Sequence, residues 1–266
     1  MRGDNYVAPV TADSAPSRSG AGKLVFGVDI GGTGVKAAPV DVDAGTLTAE
    51  RYRILTPKPS TPKAVAGAVK EVVDHFGWNG PVGCTFPAVV KNGVTLTAAN
   101  VDKSWIGVDA DKTFTDALDM PVTVLNDADA AGIAEMRFGA GKGRSGMVVI
   151  ITLGTGIGCG MFLDGTLVPN TELGHIEIDG RDAEKLAAEV VRERKKLSWK
   201  EYAARVQTYL ERLDALIWPD LIIIGGGISK AADKFLPHIH VRPEVVPAQL
   251  QNEAGIVGAA MAAASA

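Results

Sequence analysis

Along most of the chain, short apolar runs that end in glycine or an acid alternate with amphipathic stretches. Four runs predict buried strands, because short apolar stretches bounded by turn residues are typical of strands covered on both faces: LVFGVDIGG, PVTVLND, GMVVIITLG and PDLIIIGGG. Residues 61–77 predict a helix, with apolar side chains at helical spacing at Val65, Val69, Val72, Val73 and Phe76. The alternation of strands and helices predicts an α/β fold.

One unit, an apolar strand followed by a glycine turn and a second strand, occurs twice. Its turns read GTGVKA at residues 32–37 and GTGIGC at residues 154–159. This echo predicts two similar lobes. We expect a disordered tail over residues 1–22, a smaller α/β lobe over 23–125 and a larger one over 126–266. A closing helix over about 252–266 is expected to pack back on the first lobe.

Composition narrows the function classes. The 266 residues include 46% hydrophobic and 22% charged side chains, with a net charge of −4, as in ordinary globular proteins. The chain therefore lacks the global positive charge that favours nucleic acid or anionic membranes. The first residues contain no apolar core of a secretory signal, and no later run is long enough to span a membrane, so we expect a cytoplasmic protein. Two cysteines, Cys84 and Cys159, are expected to be buried free thiols.

The two glycine turns have the chemistry of anion sites. Glycine lets successive backbone N–H groups approach an anion and surround it, and threonine adds a hydroxyl donor. The candidate residues are Gly31, Gly32, Thr33 and Gly34 in the first turn and Gly154, Thr155 and Gly156 in the second. Lys36 adds positive charge, and Asp29 suits Mg²⁺, directly or through a water. Each turn alone is more often a plain hairpin, but a third glycine cluster, Gly225, Gly226 and Gly227, favours a phosphate or nucleotide cleft.

Two further groups of polar residues are candidates for contacts with a substrate. Asn126 and Asp127 follow a predicted strand, where an acid either caps the next helix or accepts a proton from a substrate hydroxyl. Glu172, His175 and Glu184 lie in a turn-rich segment. They could contact neighbouring sugar hydroxyls, be solvated loop residues, or bind zinc. Sugar contact is favoured first and zinc last, because zinc needs further Cys or His ligands at short spacing.

These motifs, taken in order, resemble the ROK sugar kinases of the actin-like ATPase and hexokinase superfamily. VDIGGTGVK resembles the first phosphate motif of that family, LGTGIG the second and IIIGGGIS the adenosine-side motif, while NDADAA and ELGH resemble its sugar-site signatures. The resemblance runs from about Lys23 to the end of the chain. It implies a ribonuclease H-like fold with two lobes and a magnesium-dependent hexose kinase. It further implies that Asp127 is the general base and that Asn100, Asn126, Glu172, His175 and Glu184 hold the sugar.

The chain departs from most ROK members at one motif. Those members carry a cysteine-rich zinc knuckle after the GH pair, whereas here the segment reads GHIEIDGRDAEKLAAE and contains no cysteine. We therefore expect no zinc. A short chain with TELGHIEIDG and AANVDKSWIG resembles the actinobacterial members that phosphorylate glucose, and also mannose, with inorganic polyphosphate or ATP.

A polyphosphate chain would need cations beyond the cleft. The candidates are Lys103, Lys142, Arg144 and Arg181, whereas the run RERKK at residues 192–196 is more often a solvated helix face. The alternatives are a ROK kinase that uses ATP alone and a sugar-sensing protein without catalysis. A DNA-binding regulator of the family is disfavoured, since the tail is too short for a helix-turn-helix domain. We expect no nucleic-acid or membrane partner, and a monomer or homodimer.

Overall fold

The structure is a computed structural model that describes residues 22–266. The predicted disordered tail lies outside the described residues except for Gly22. Within the described part, two β-sheets are joined by helices. In this part of the chain, no helix is both long enough and apolar enough to cross a membrane.

The first sheet contains six strands in the order β3-β2-β1-β5-β8, with β4 also paired to β2. Its strands are β1 (Leu24–Ile30), β2 (Gly34–Asp41), β3 (Thr46–Leu47), β4 (Tyr52–Leu55), β5 (Val82–Phe86) and β8 (Val122–Asn126). A separate hairpin comprises β6 (Val90–Lys91) and β7 (Val94–Thr95). Its turn is Asn92–Gly93, and both residues have positive φ, 52° and 76°, as a tight type I′ hairpin requires.

Two helices cover one face of this sheet: α1 (Pro62–His75) and α2 (Ala110–Leu118). The four predicted valines of α1 lie on its buried face and pack with Phe26 and Val28 of β1 in one core, whereas Phe76 directly follows the helix and is partly buried. Thr61 caps α1 by accepting a hydrogen bond from the Ala64 N–H (3.4 Å), and Pro62 occupies the first turn. This helix therefore begins at the residues that the sequence predicts.

The second sheet contains five strands in the order β11-β10-β9-β14-β15. These are β9 (Met147–Leu153), β10 (Ile157–Leu163), β11 (Thr166–Val168), β14 (Leu221–Gly225) and β15 (Glu244–Pro247). The short pair β12 (Glu177–Ile178) and β13 (Arg181–Asp182) lies outside it. The remaining helices of this half are α4 (Glu184–Ala187), α5 (Glu189–Lys195), α6 (Trp199–Ile217) and α7 (Ala232–Phe235).

Both sheets contain the repeated unit that the sequence shows. In each, an antiparallel hairpin closed by a glycine turn is extended by a parallel strand: β1 pairs with β2 and β5, and β9 pairs with β10 and β14. The carboxyl ends of β1 and β9 therefore both lead directly into a glycine turn. This topology agrees with the predicted α/β fold, in which one strand–turn–strand unit occurs in each of two sheets.

Two helices lie between the sheets. α3 (Asp127–Phe138) follows β8 directly, and the last helix, α8 (Ala254–Ala264), packs against α3, β1 and β5. Three glycines allow this packing, since a side chain at Gly27, Gly83 or Gly258 would overlap a backbone carbonyl group of the facing element. The packing fixes the start of α3 relative to the ends of β1 and β5.

Candidate active site

Asp29 lies near the carboxyl end of β1 and is held from two sides. The Thr85 hydroxyl of β5 donates a hydrogen bond to Oδ1 (3.0 Å), and Lys36 of β2 pairs with Oδ2 (3.1 Å). Lys36 lies directly opposite Asp29 in the β1–β2 register. Both predicted residues therefore lie beside the first glycine turn, and Lys36 is already paired with the acid.

Both glycine turns present free backbone donors. In the first, the Gly31 N–H bonds to the Gly34 carbonyl group (2.9 Å), and in the second the Gly154 N–H bonds to that of Gly156 (3.0 Å). Among residues 22–266, the N–H groups of Gly32, Thr33, Thr155 and Gly156 have no intramolecular acceptor. Such groups of free N–H donors are suited to bind phosphate oxygens. Asn100 lies against the first turn, with its carbonyl oxygen 3.5 Å from where a Gly32 Cβ would be.

Asn126, and not Asp127, is the N-cap of α3. Its Oδ1 accepts from the N–H groups of Ala128 (2.8 Å) and Asp129 (3.0 Å), and its Nδ2 donates to the Ala88 carbonyl group (3.0 Å). The capping role that the sequence left open for Asp127 therefore belongs to its neighbour. Asp127 is the first residue of α3, partly buried, with Oδ1 accepting from the Ala128 N–H (2.9 Å).

The environment of Asp127 favours a proton acceptor that works near neutral pH. Burial, the negative charge of Asp29 and that of Glu172 raise the pKa of Asp127 to about 7, against the hydrogen bond from Ala128, which lowers it. A general base is most effective when its pKa lies near the working pH. The carboxylates of Asp29 and Glu172 therefore lie close enough to Asp127 for their charges to act on it.

The loop after β11 carries Glu172 and His175. The two side chains approach to 3.7 Å and both remain partly open to solvent. Partial burial of the Glu172 carboxyl raises its pKa. Glu184, at the start of α4, reaches the second glycine turn, where its Oε2 lies 2.7 Å from where a Gly156 Cβ would be. The structure thus brings the three predicted polar residues together between Asp127 and the second turn.

Two of these residues also have the spacing of metal ligands. His175, Asp182 and Glu184 place ligand atoms within 4.8 Å of one another. Neither cysteine joins this group, because both thiols are buried in the cores of the two sheets, as the sequence predicts. The spacing alone assigns no metal, and the same three side chains can equally contact sugar hydroxyls.

The third glycine cluster lies next to the second turn. Gly225 ends β14, which is parallel to β9, and Gly226 has a φ of 80° and contacts the backbone of Leu153. The carboxylate of Glu189 lies 3.1 Å from where a Gly227 Cβ would be. Thus the second and third clusters form one surface at the carboxyl ends of β9 and β14.

The basic residues predicted to bind polyphosphate lie in different places. Lys103 is exposed in a single helical turn after Asn100, and Arg181 is exposed in β13. Lys142 and Arg144 precede β9, whereas the second glycine turn follows it, so a strand of roughly 20 Å separates them. Arg144 is also paired with Glu244. The structure therefore does not bring Lys142 and Arg144 to the two glycine turns.

Sequence reasoning missed four residues of the site. Arg53 of β4 donates to the Thr33 carbonyl group (3.3 Å), and Thr85 orients Asp29. Asp129 is buried, and its Oδ2 accepts from the Asn170 N–H (2.8 Å). Burial raises the pKa of Asp129 to about 6. Thr85 and Asp129 could have been found from the sequence, because each is a polar residue inside an otherwise apolar segment. Arg53 and Asn170 carry no such signal, since only the fold brings them to the site.

The comparison with known proteins agrees with this geometry. The family described as ROK matches residues 25–189 of the chain. This chain belongs to the ROK family. A polyphosphate glucokinase of Mycobacterium tuberculosis is 54% identical over 238 residues, which cover 89% of this chain and 90% of the relative.

Two solved structures extend the match to the fold. The inorganic polyphosphate/ATP-glucomannokinase from Arthrobacter sp. strain KM is 53% identical, with a TM-score of 0.89, and the match covers 91% of this chain and 98% of the relative. A ROK family glucokinase from Streptomyces griseus, solved with glucose and AMPPNP, is 26% identical, with a TM-score of 0.80, over 92% and 100% of the two chains. The predicted family and fold are therefore confirmed.

Proposed function

We propose that this protein transfers the terminal phosphoryl group of inorganic polyphosphate or ATP to the 6-hydroxyl of glucose, and of mannose. Relatives that match most of the chain are named polyphosphate glucokinase or glucomannokinase, and the predicted enzyme class, a hexose kinase, is confirmed. The observation that carries the proposal is the position of Asp127, a carboxylate with a pKa of about 7, between the first phosphate turn and the Glu172 loop.

In this mechanism Asp127 accepts the proton of the 6-hydroxyl. The sugar oxygen then attacks the terminal phosphorus, and the bond from that phosphorus to the bridging oxygen breaks, which leaves ADP or a polyphosphate shortened by one unit. The free N–H groups of the two glycine turns stabilise the charge that develops on the equatorial oxygens. Lys36 adds positive charge beside the first turn.

Asp29 fits a magnesium ion. Its carboxylate oxygens belong to the ligand class that Mg²⁺ prefers, and Thr85 and Lys36 hold them in a fixed orientation near the acid Asp127. When bound, Mg²⁺ neutralises charge on the donor phosphates. Nothing in the proposed chemistry requires zinc, and its absence remains a prediction.

The acceptor sugar is assigned to the polar residues around Asp127. Glu172, His175 and Glu184 offer carboxylate and imidazole groups to neighbouring hydroxyls. Asn126 retains one amide N–H beyond its bond to Ala88, and Asn100 lies beside the first turn. A hexose with several adjacent hydroxyls matches this set of acceptors and donors.

The choice of donor is tested by initial rates. With glucose and Mg²⁺, we expect glucose 6-phosphate to form both from ATP-free long-chain polyphosphate and from ATP. Omission of donor and removal of Mg²⁺ by chelation are the controls. Activity with ATP alone would contradict the polyphosphate donor and favour a ROK kinase that uses only ATP. Activity with neither donor would favour a sugar-sensing protein without catalysis.

A second prediction concerns pH. Because Asp127 must be deprotonated to act as a base and its pKa lies at about 7, kcat/KM for glucose should fall about tenfold per pH unit well below that value. The measurement is the pH–rate profile at saturating donor, with enzyme returned to pH 8 after each incubation as a control for irreversible loss. A profile that stays flat down to about pH 5.5 would contradict a base with a raised pKa.

A further inference from the structure

A cavity of about 550 Å³ opens beside the second glycine turn, on the side of α5. Three of its lining side chains are basic and one is acidic, and the rest are a threonine and two valines: Lys185, Arg194, Lys195, Glu184, Thr155, Val190 and Val191. We propose that this basic pocket binds the inner phosphates of a polyphosphate donor, those that follow the transferred group. The inference rests on the proposed function.

The pocket is continuous with the phosphate turn. Thr155 belongs to both, and the Val190 N–H of α5 donates to the Gly154 carbonyl group (3.1 Å). This bond attaches the start of α5 to the turn, and Arg194 and Lys195 lie at the other end of the same helix. Because α5 is about 10 Å long, a donor bound at the turn could extend along it and reach these cations.

The basic run at residues 192–196 divides into two parts with different roles. The Arg192 guanidinium stacks over the Trp199 ring, 3.8 Å from its centroid, and is used in packing. Arg194 and Lys195 are exposed, line the pocket and make no ion pair within residues 22–266. Cations that are neither packed nor paired are available for an external anion.

The other charges define where the inner phosphates lie. Lys185 is paired with Asp182 (2.9 Å), and Glu184 faces the second turn near Gly156. Beyond the N–H donors of that turn, an anion is therefore favoured on the side of Arg194 and Lys195, away from the carboxylate of Glu184. The valines could instead receive part of a nucleoside, but the two unpaired cations favour a flexible polyanion, whose phosphates can follow mobile basic side chains.

The test is the double variant Arg194→Gln/Lys195→Gln in the full chain, assayed with glucose, Mg²⁺ and either long-chain polyphosphate or ATP. We expect KM for polyphosphate to rise roughly five- to tenfold, with kcat and KM for ATP within about twofold of wild type, because exposed charge contacts are individually weak. The KM for polyphosphate should also rise more steeply with salt in the wild type than in the variant. Salt screens the charge contacts of Arg194 and Lys195, which only the wild type makes.

The matched control is Lys200→Gln/Arg212→Gln, which removes two exposed cations from α6 outside the pocket. An equal KM for polyphosphate in the two double variants would overturn the inference, while leaving the proposed donor intact. An equal rise in KM for ATP would overturn it in favour of a nucleotide site. A wild-type enzyme that uses ATP alone would instead refute the proposed donor, and with it the role of this pocket.

Discussion

Replacing Asp127 by Asn is expected to lower kcat by a factor of about 10²–10⁴, the contribution typical of a general base, while the dissociation constant for glucose changes little. Asn has nearly the same shape and can still accept the hydrogen bond from the Ala128 N–H, so the start of α3 is preserved. It cannot, however, take up the proton of the 6-hydroxyl. We would measure kcat with each donor separately, at saturating polyphosphate or saturating ATP, and the dissociation constant for glucose by calorimetric titration.

Asp129→Asn is the matched comparison for this variant. Asp129 lies two residues further along α3, is buried and also has a raised pKa, but its Oδ2 holds the Asn170 backbone. We expect this variant to affect KM for glucose, through the loop that carries Glu172, far more than kcat. Turnover in Asp127→Asn that matched wild type, or equal losses of kcat in both variants, would exclude Asp127 as the base.

Replacing Gly83 by Ala is expected to lower the stability of the protein by about 3 kcal/mol or more, because overpacking between backbones cannot be relieved by a rotamer change. Gly83 lies in β5, and a methyl group there would overlap the Ala259 carbonyl group of α8. For a chain of this size, such a loss lowers Tm by roughly 6–12 °C. Thermal unfolding followed by circular dichroism measures it.

Gly67→Ala is the control for the Gly83 variant. Gly67 is exposed in the middle of α1, with no atom within 4 Å of where its Cβ would be. Alanine is the better helix former, so this variant should gain about 0.5–1 kcal/mol. If Gly83→Ala unfolded at the same temperature as the wild type, α8 could not pack on β5 as closely as the structure shows.

The sequence predicts the strands, the two glycine turns and most of α1 correctly, because each depends on local periodicity and turn chemistry. The candidate acids could also be found, since Asp29 lies near the end of one apolar strand and Asp127 directly follows another. The contact of α8 with Gly27, Gly83 and Gly258 could not, because these glycines come from distant elements and a sequence does not show which surfaces meet.

The basic side chains show the same limit more clearly. The sequence makes Lys142 and Arg144 candidates for a polyphosphate groove beyond the cleft, yet they lie at the far end of β9 from the second glycine turn. The run at residues 192–196 has the composition of a solvated helix face, but only part of it is free, since Arg192 stacks on Trp199. Charge can be counted in a sequence, whereas the direction of a cation depends on tertiary contacts.

Asn170 is hydrogen-bonded both to the β6–β7 hairpin and to α3. Its side-chain amide pairs with the N–H (2.9 Å) and the carbonyl group (2.8 Å) of Val90, and its backbone N–H is held by Asp129. A motion that separated the β6–β7 hairpin from α3 at this point would have to break these bonds. Asn170 therefore anchors the loop that carries Glu172 to both of these elements, two residues before the acid itself.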